Sequence, residues 1–127
     1  LQGLQDSVSR VTEHWDGTHP EDGLAAQGLA EWQVLLEETI GYGQELYRWK
    51  LTRAIPCESE DAARDRAWEL AEEFEPEHPM MPQGRRIYEV GTDSWLVHVP
   101  GATTDFHFRV TAARLVAAYD KDGGSLL

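Results

Sequence analysis

Two short segments alternate in polarity and place histidines on the same side. In Trp95-Leu96-Val97-His98-Val99 the side chains of Trp95, Val97 and Val99 share one face, and in Phe106-His107-Phe108-Arg109-Val110 those of Phe106, Phe108 and Val110 do so. His98 and His107 therefore point away from the apolar side of two candidate strands. A register that sets 98 opposite 107 brings the two imidazoles within contact distance. Arg109 shares their face, and Asp105 lies just before His107 in sequence. His98, His107 and Arg109 form a patch with the chemistry to bind a small anion, a metal or a protein group. Two histidines without a third clear ligand are a poor zinc set. The expectation is thus a ligand-binding sheet face with no resident metal. A solvated sheet face, or one covered by a helix, is the plainer alternative.

Other reactive groups are sparse. The one Glu-x-x-His, Glu75 to His78, has Pro76 inside it, and the run Glu75-Pro76-Glu77-His78-Pro79-Met80-Met81-Pro82 forbids the helix that would align the pair. Cys57 precedes a candidate helix start, where a thiolate is favoured, but Glu58, Glu60 and Asp61 oppose its ionisation. A single cysteine allows no internal disulfide and no multi-cysteine zinc site. Glycine-rich phosphate loops, Gly-x-Ser-x-Gly and His-Glu-x-x-His are all absent from the sequence. No catalytic residue, cofactor or metal is therefore expected, and an enzyme with an unrecognised cleft is the least favoured reading.

Charge is the most distinctive property. Over 127 residues, 23 acidic side chains face 11 basic ones, a formal net charge of −12. Residues 1–57 contribute −5, residues 58–78 contribute −7, and residues 79–127 are balanced. This disfavours nucleic acid and anionic membranes, both of which need clustered Lys and Arg. No apolar run approaches the ~20 residues of a membrane helix. Leu1 to Arg10 lacks the basic start and apolar stretch of a signal peptide, so a cytoplasmic location is expected. The acidic excess points to a basic protein partner, with Asp65, Glu69, Glu72 and Glu73 as its docking residues. A solvated helix face is the alternative for these residues, as it is for Glu37, Glu38 and Glu45. Five tryptophans exceed what a small core readily hides. Exposed aromatics or a free sheet edge therefore offer a route to a homodimer.

The elements that would carry these groups follow from periodicity. Leu4, Val8, Val11 and Trp15 mark one helix, and Thr18-His19-Pro20-Glu21 reads as the capping box of the next. Leu29, Trp32, Leu36, Ile40, Gly43, Tyr47 and Leu51 trace a helical seam ended by Pro56, with Gly41 and Gly43 marking either a bend or the close approach of a neighbour. Ser59 caps a third helix that buries Ala63, Ala67, Leu70 and Phe74, with Trp68 beside them. Residues 87–90, 95–99 and 106–110 read as strands, Gly91-Thr92-Asp93 and Pro100-Gly101 as turns. Thr111 then caps a short helix through Ala112, Leu115, Val116 and Tyr119, or residues 115–119 form a strand, and Lys121 to Leu127 is a tail.

The expected fold is a single α+β domain. An N-terminal helical part, residues 1–78, packs three helices on a small antiparallel β-meander, residues 83–120, completed by the C-terminal helix or strand. Trp32, Leu36, Ile40, Tyr47, Leu70, Phe74, Trp95, Val97, Phe106 and Phe108 are its expected core. The expected function is a non-catalytic, acidic interaction module, an inhibitor of a basic enzyme or a chaperone of a basic client. A small-ligand, anion- or metal-binding domain using His98, His107 and Arg109 is the second expectation.

Overall fold

The computed structural model describes residues 28–40, 48–76, 82–101 and 105–127. The expected first helix, the capping box at residues 18–21, Gly41, Gly43 and Tyr47 lie outside these residues.

Trp32, Val34 and Leu36 occupy alternate positions, and they form strand β1, Trp32–Ile40. Strand β2, Arg48–Cys57, returns antiparallel beside it, with Trp32 opposite Cys57 and Ile40 opposite Arg48. The long helix expected through residues 29–51 is thus a pair of strands. Trp32, Leu36 and Ile40 are spaced by four, which is one helical step and also twice the strand period. Val34 decides between them: on a helix it would lie about 200° around from Trp32, yet it is fully buried with Leu36. Pro56 does not end a helix but sits near the end of β2, opposite Gln33. A proline is tolerated there because β2 is an edge strand.

The meander is present. Strands β3, Arg86–Gly91, and β4, Ser94–Val99, pair antiparallel, and β5, Phe106–Arg114, pairs with β4. β5 runs past Val110 to Arg114, so the helix expected from Thr111 is absent. The reason is lateral: Thr111 pairs with Ser94 on one side and Leu35 on the other, and two ladders hold the backbone extended. Residues 115–118 have no regular structure, so the strand expected at 115–119 is also absent, apart from one bridge between Tyr119 and Ser125. The expected tail contains a turn, in which Asp120 Oδ1 accepts from the amides of Asp122 and Gly124.

The described residues therefore form a five-stranded antiparallel sheet with a single helix, not three helices on a small meander. Strand order is β2-β1-β5-β4-β3. The hairpin and the meander join at the centre, where β1 pairs with β5. Helix α1, Glu60–Glu73, lies in the chain between the two edge strands and packs on one sheet face. It starts as expected, with Ser59 Oγ accepting from the Ala62 amide at 3.1 Å, and with Glu60 and Asp61 in the first turn. At its other end Arg85 donates to the carbonyls of Ala71 (2.8 Å) and Phe74 (2.7 Å), which ties the approach to β3 to the helix terminus.

One face of α1 presents Ala63, Ala67 and Ala71, all without solvent exposure, flanked by Leu70. These small side chains bring the helix close to the sheet. Beneath them lie Val34, Leu36, Ile55, Val97, Val99, Phe108, Val110 and Ala112. Phe74 meets Phe108 edge to face, ring centres 5.0 Å apart. Leu36, Leu70, Val97 and Phe108 were expected in this core. Trp32, Phe74 and Trp95 pack on its margin, while Ile40 and Phe106 are half-buried. Two substitutions probe this interface by chemical denaturation. Ala67→Leu should destabilise the fold by about 1–3 kcal/mol through overpacking. Ser59→Ala should cost about 1 kcal/mol through loss of the cap.

Candidate functional site

The two sets of candidate residues occupy opposite sides of the sheet. His98, His107 and Arg109 lie on the face that α1 leaves open; Asp65, Glu69, Glu72 and Glu73 lie on α1.

On the open face, strand pairing assembles side chains into rows. One row crosses the sheet as Arg86, His98 and His107, since Arg86 pairs with His98 and His98 with His107. The expected register is present, and the two imidazoles stack with ring centres 4.8 Å apart and planes 13° from parallel. His98 Nε2 lies 2.9 Å from Asp105 Oδ2. A carboxylate accepts, so that nitrogen carries the hydrogen. Thr39 extends the row towards β1: its hydroxyl donates to the His107 carbonyl at 3.2 Å and accepts from the His107 amide at 3.3 Å. The next row is Tyr88, Leu96, Arg109, Glu37 and Leu51. Here Arg109 Nε donates to Glu37 Oε1 at 2.8 Å, and its guanidinium carbon lies 5.3 Å from the centre of the Trp49 ring.

This arrangement separates what the sequence grouped. His98, His107 and Asp105 form one cluster, while Arg109 is engaged by Glu37 and Trp49. Among the described residues no three of His, Cys, Asp and Glu are placed to hold a metal ion. His78 lies outside the described residues. Cys57, at the end of β2, has its thiol pushed up to about 11, first by burial, against the lowering charge of Arg66. At neutral pH it is a thiol rather than a nucleophilic thiolate.

The histidine pair has an electrostatic consequence. Burial, and then the adjacent His98, hold the His107 imidazole below its ordinary value. The hydrogen bond from His98 holds the Asp105 carboxyl below the usual carboxylate range. A histidine that protonates less readily when folded lets the unfolded chain take up more protons as pH falls below about 6.5. Stability should therefore decline from pH 7.5 to pH 5, and His107→Gln should reduce that decline. Denaturant midpoints of both proteins at the two pH values give the measurement.

On the other side, α1 turns its acidic residues outward. Asp65, Glu72 and Glu73 are exposed and make no ion pair among the described residues. Glu69 differs, because Arg66 Nη1 donates to its carboxylate at 2.9 Å. Near the start of the helix, Arg64 is shared by Glu60, Asp61 and Asp93. Asp65, Trp68 and Glu72 follow one another at helical spacing and share the outer face. Trp68 is 42% exposed, its ring in edge contact with Trp95 at 5.6 Å. It was expected beside the buried stripe. It does lie there, where the helix surface turns from core to solvent, among the carboxylates.

Sequence reasoning also missed the edge strand β2. Residues 48–54 are all exposed, and they include Arg48, Lys50 and Arg53. The signal was present as three bases within six positions, but a regional sum of −5 over residues 1–57 concealed it.

Comparison with protein-family models, with curated proteins and with solved structures finds no match. No helix among the described residues is long and apolar enough to cross a membrane.

Proposed function

We propose that this protein is a non-catalytic interaction module that docks the outer face of α1 onto a basic protein surface. The observation that carries the proposal is Trp68, 42% exposed between the carboxylates of Asp65 and Glu72. A half-exposed tryptophan on a rigid helix is the anchor type that dominates protein interfaces. Trp95 holds its ring from beneath, so little side-chain freedom is lost when a partner covers it. Asp65, Glu72 and Glu73 supply the field that draws a basic partner in, and Glu69, held by Arg66, contributes less of it. An inhibitor of a basic enzyme or a chaperone of a basic client has this form.

The open face supports a second reading, a small-anion site at His98 and His107, because both imidazoles and Arg86 stand in one row. Its weakness is that Asp105 and Glu37 already occupy the partners an anion would need, His98 and Arg109.

Differential capture tests the first reading. Immobilised wild-type protein and the variants Trp68→Ala and Asp65→Asn/Glu72→Gln/Glu73→Gln are exposed to the same native extract, and retained proteins are identified by mass. A basic protein should be retained by wild type alone and released by high salt. With that partner purified, Trp68→Ala should weaken binding by about 30-fold or more. The charge-neutralised variant should slow association about tenfold at low salt. Equal retention by all three proteins would remove α1 as the docking face.

A further inference from the structure

Four basic residues make no ion pair among the described residues, and all four lie on edge strands: Arg48, Lys50 and Arg53 on β2, and Arg86 on β3. The three on β2 sit in the stretch that is exposed from residue 48 to residue 54. Among the described residues β2 has β1 as its sheet neighbour on one side only, and none of them pairs with its other side. The register fixes which side chains flank that free edge. Arg48 pairs with Ile40, Lys50 with Glu38 and Arg53 with Leu36, placing all three bases on the helix-bearing side. Trp49 pairs with Thr39 and Leu51 with Glu37, placing two apolar side chains on the open side. Trp49 is 44% and Leu51 52% exposed. The register shift between Leu36 and Glu37 keeps Arg53 on the basic side although it lies three residues from Lys50.

We infer that β2 accepts an added strand, an extended segment of a partner protein in which acidic and apolar residues alternate. Paired against β2, its acidic side chains meet Arg48, Lys50 and Arg53, and its apolar ones meet Trp49 and Leu51 on the other side. Backbone hydrogen bonds supply the attachment and the alternation supplies the specificity. A second copy of β2 is disfavoured as the occupant, because it would set basic residues near basic residues across the new ladder. The inference is independent of α1: it uses another surface and a partner of opposite charge.

The probe is an acetylated, amidated peptide of about ten residues, the length of an ordinary long strand, alternating Glu and Val. Two companions are used, one with Lys in place of Glu and one N-methylated at alternate residues. The N-methylated peptide keeps the charge but cannot pair as a strand. In amide spectra of the whole protein, the Glu/Val peptide should shift β2 resonances and slow exchange at the β2 amides that face away from β1. The Lys/Val and N-methylated peptides should not. Arg48→Glu/Lys50→Glu/Arg53→Glu should weaken Glu/Val binding by at least about tenfold, with β4 and β5 resonances unchanged. Three results would overturn the inference: no β2 shift with the Glu/Val peptide, equal binding of the N-methylated peptide, or protection in the dilute free chain of the β2 amides that face away from β1. The peptide comparisons decide the question even where the triple variant fails to fold.

Discussion

The ladder between β1 and β5 is the constraint on which the rest of the structure depends. A two-stranded hairpin is marginal in water, and a three-stranded meander buries only part of one face. Pairing Val34 with Ala112 and Leu36 with Val110 merges them into one sheet wide enough for α1 to cover. It also places Phe108, Val110 and Val97 beneath the alanine face of the helix, where none has solvent exposure. The same ladder sets what lies on the reverse side. Because side chains alternate, burying Leu36 and Val110 obliges Glu37 and Arg109 to meet on the open face, where they form their ion pair.

The net charge of −12 is an average over unlike surfaces. Carboxylates concentrate on the outer face of α1, several of them answered by arginines within the helix or nearby. Bases without such an answer among the described residues gather on the sheet edges. Such edge charges guard a sheet against pairing with its own copies, and they also select what can pair. A chain arranged in this way presents two docking chemistries, an acidic helical face with an aromatic anchor and a basic edge with apolar neighbours.

How much of this the sequence disclosed varied by element. The three meander strands were legible because alternation at 95–99 and 106–110 has no helical interpretation, and the pairing of His98 with His107 follows from it. α1 was legible from Ser59 and from Ala63, Ala67 and Leu70. β1 and β2 were not, because spacings of four satisfy both periods, and Glu37 and Glu38 suit a helix as readily as a strand. Val34 and Ile55, both buried, carried the distinguishing information and stood outside the helical seam. The C-terminal stretch misled for a different reason. Ala112, Leu115, Val116 and Tyr119 are spaced for a helix, but β5 is held between two neighbours, and that pairing overrides a local preference of a few tenths of a kcal/mol per residue. The basic edge escaped notice because charge was summed over regions rather than placed on strands.

The central claim is that residues 32–38 are a strand paired with β5. The most direct measurement is the set of cross-strand nuclear Overhauser contacts in solution. The structure predicts contacts linking the backbone of Val34 to that of Ala112, and Leu36 to Val110, with extended-strand chemical shifts throughout residues 32–38. Helical shifts across these residues, or contacts from Trp32 to Leu36 along one helix face with none to β5, would contradict it.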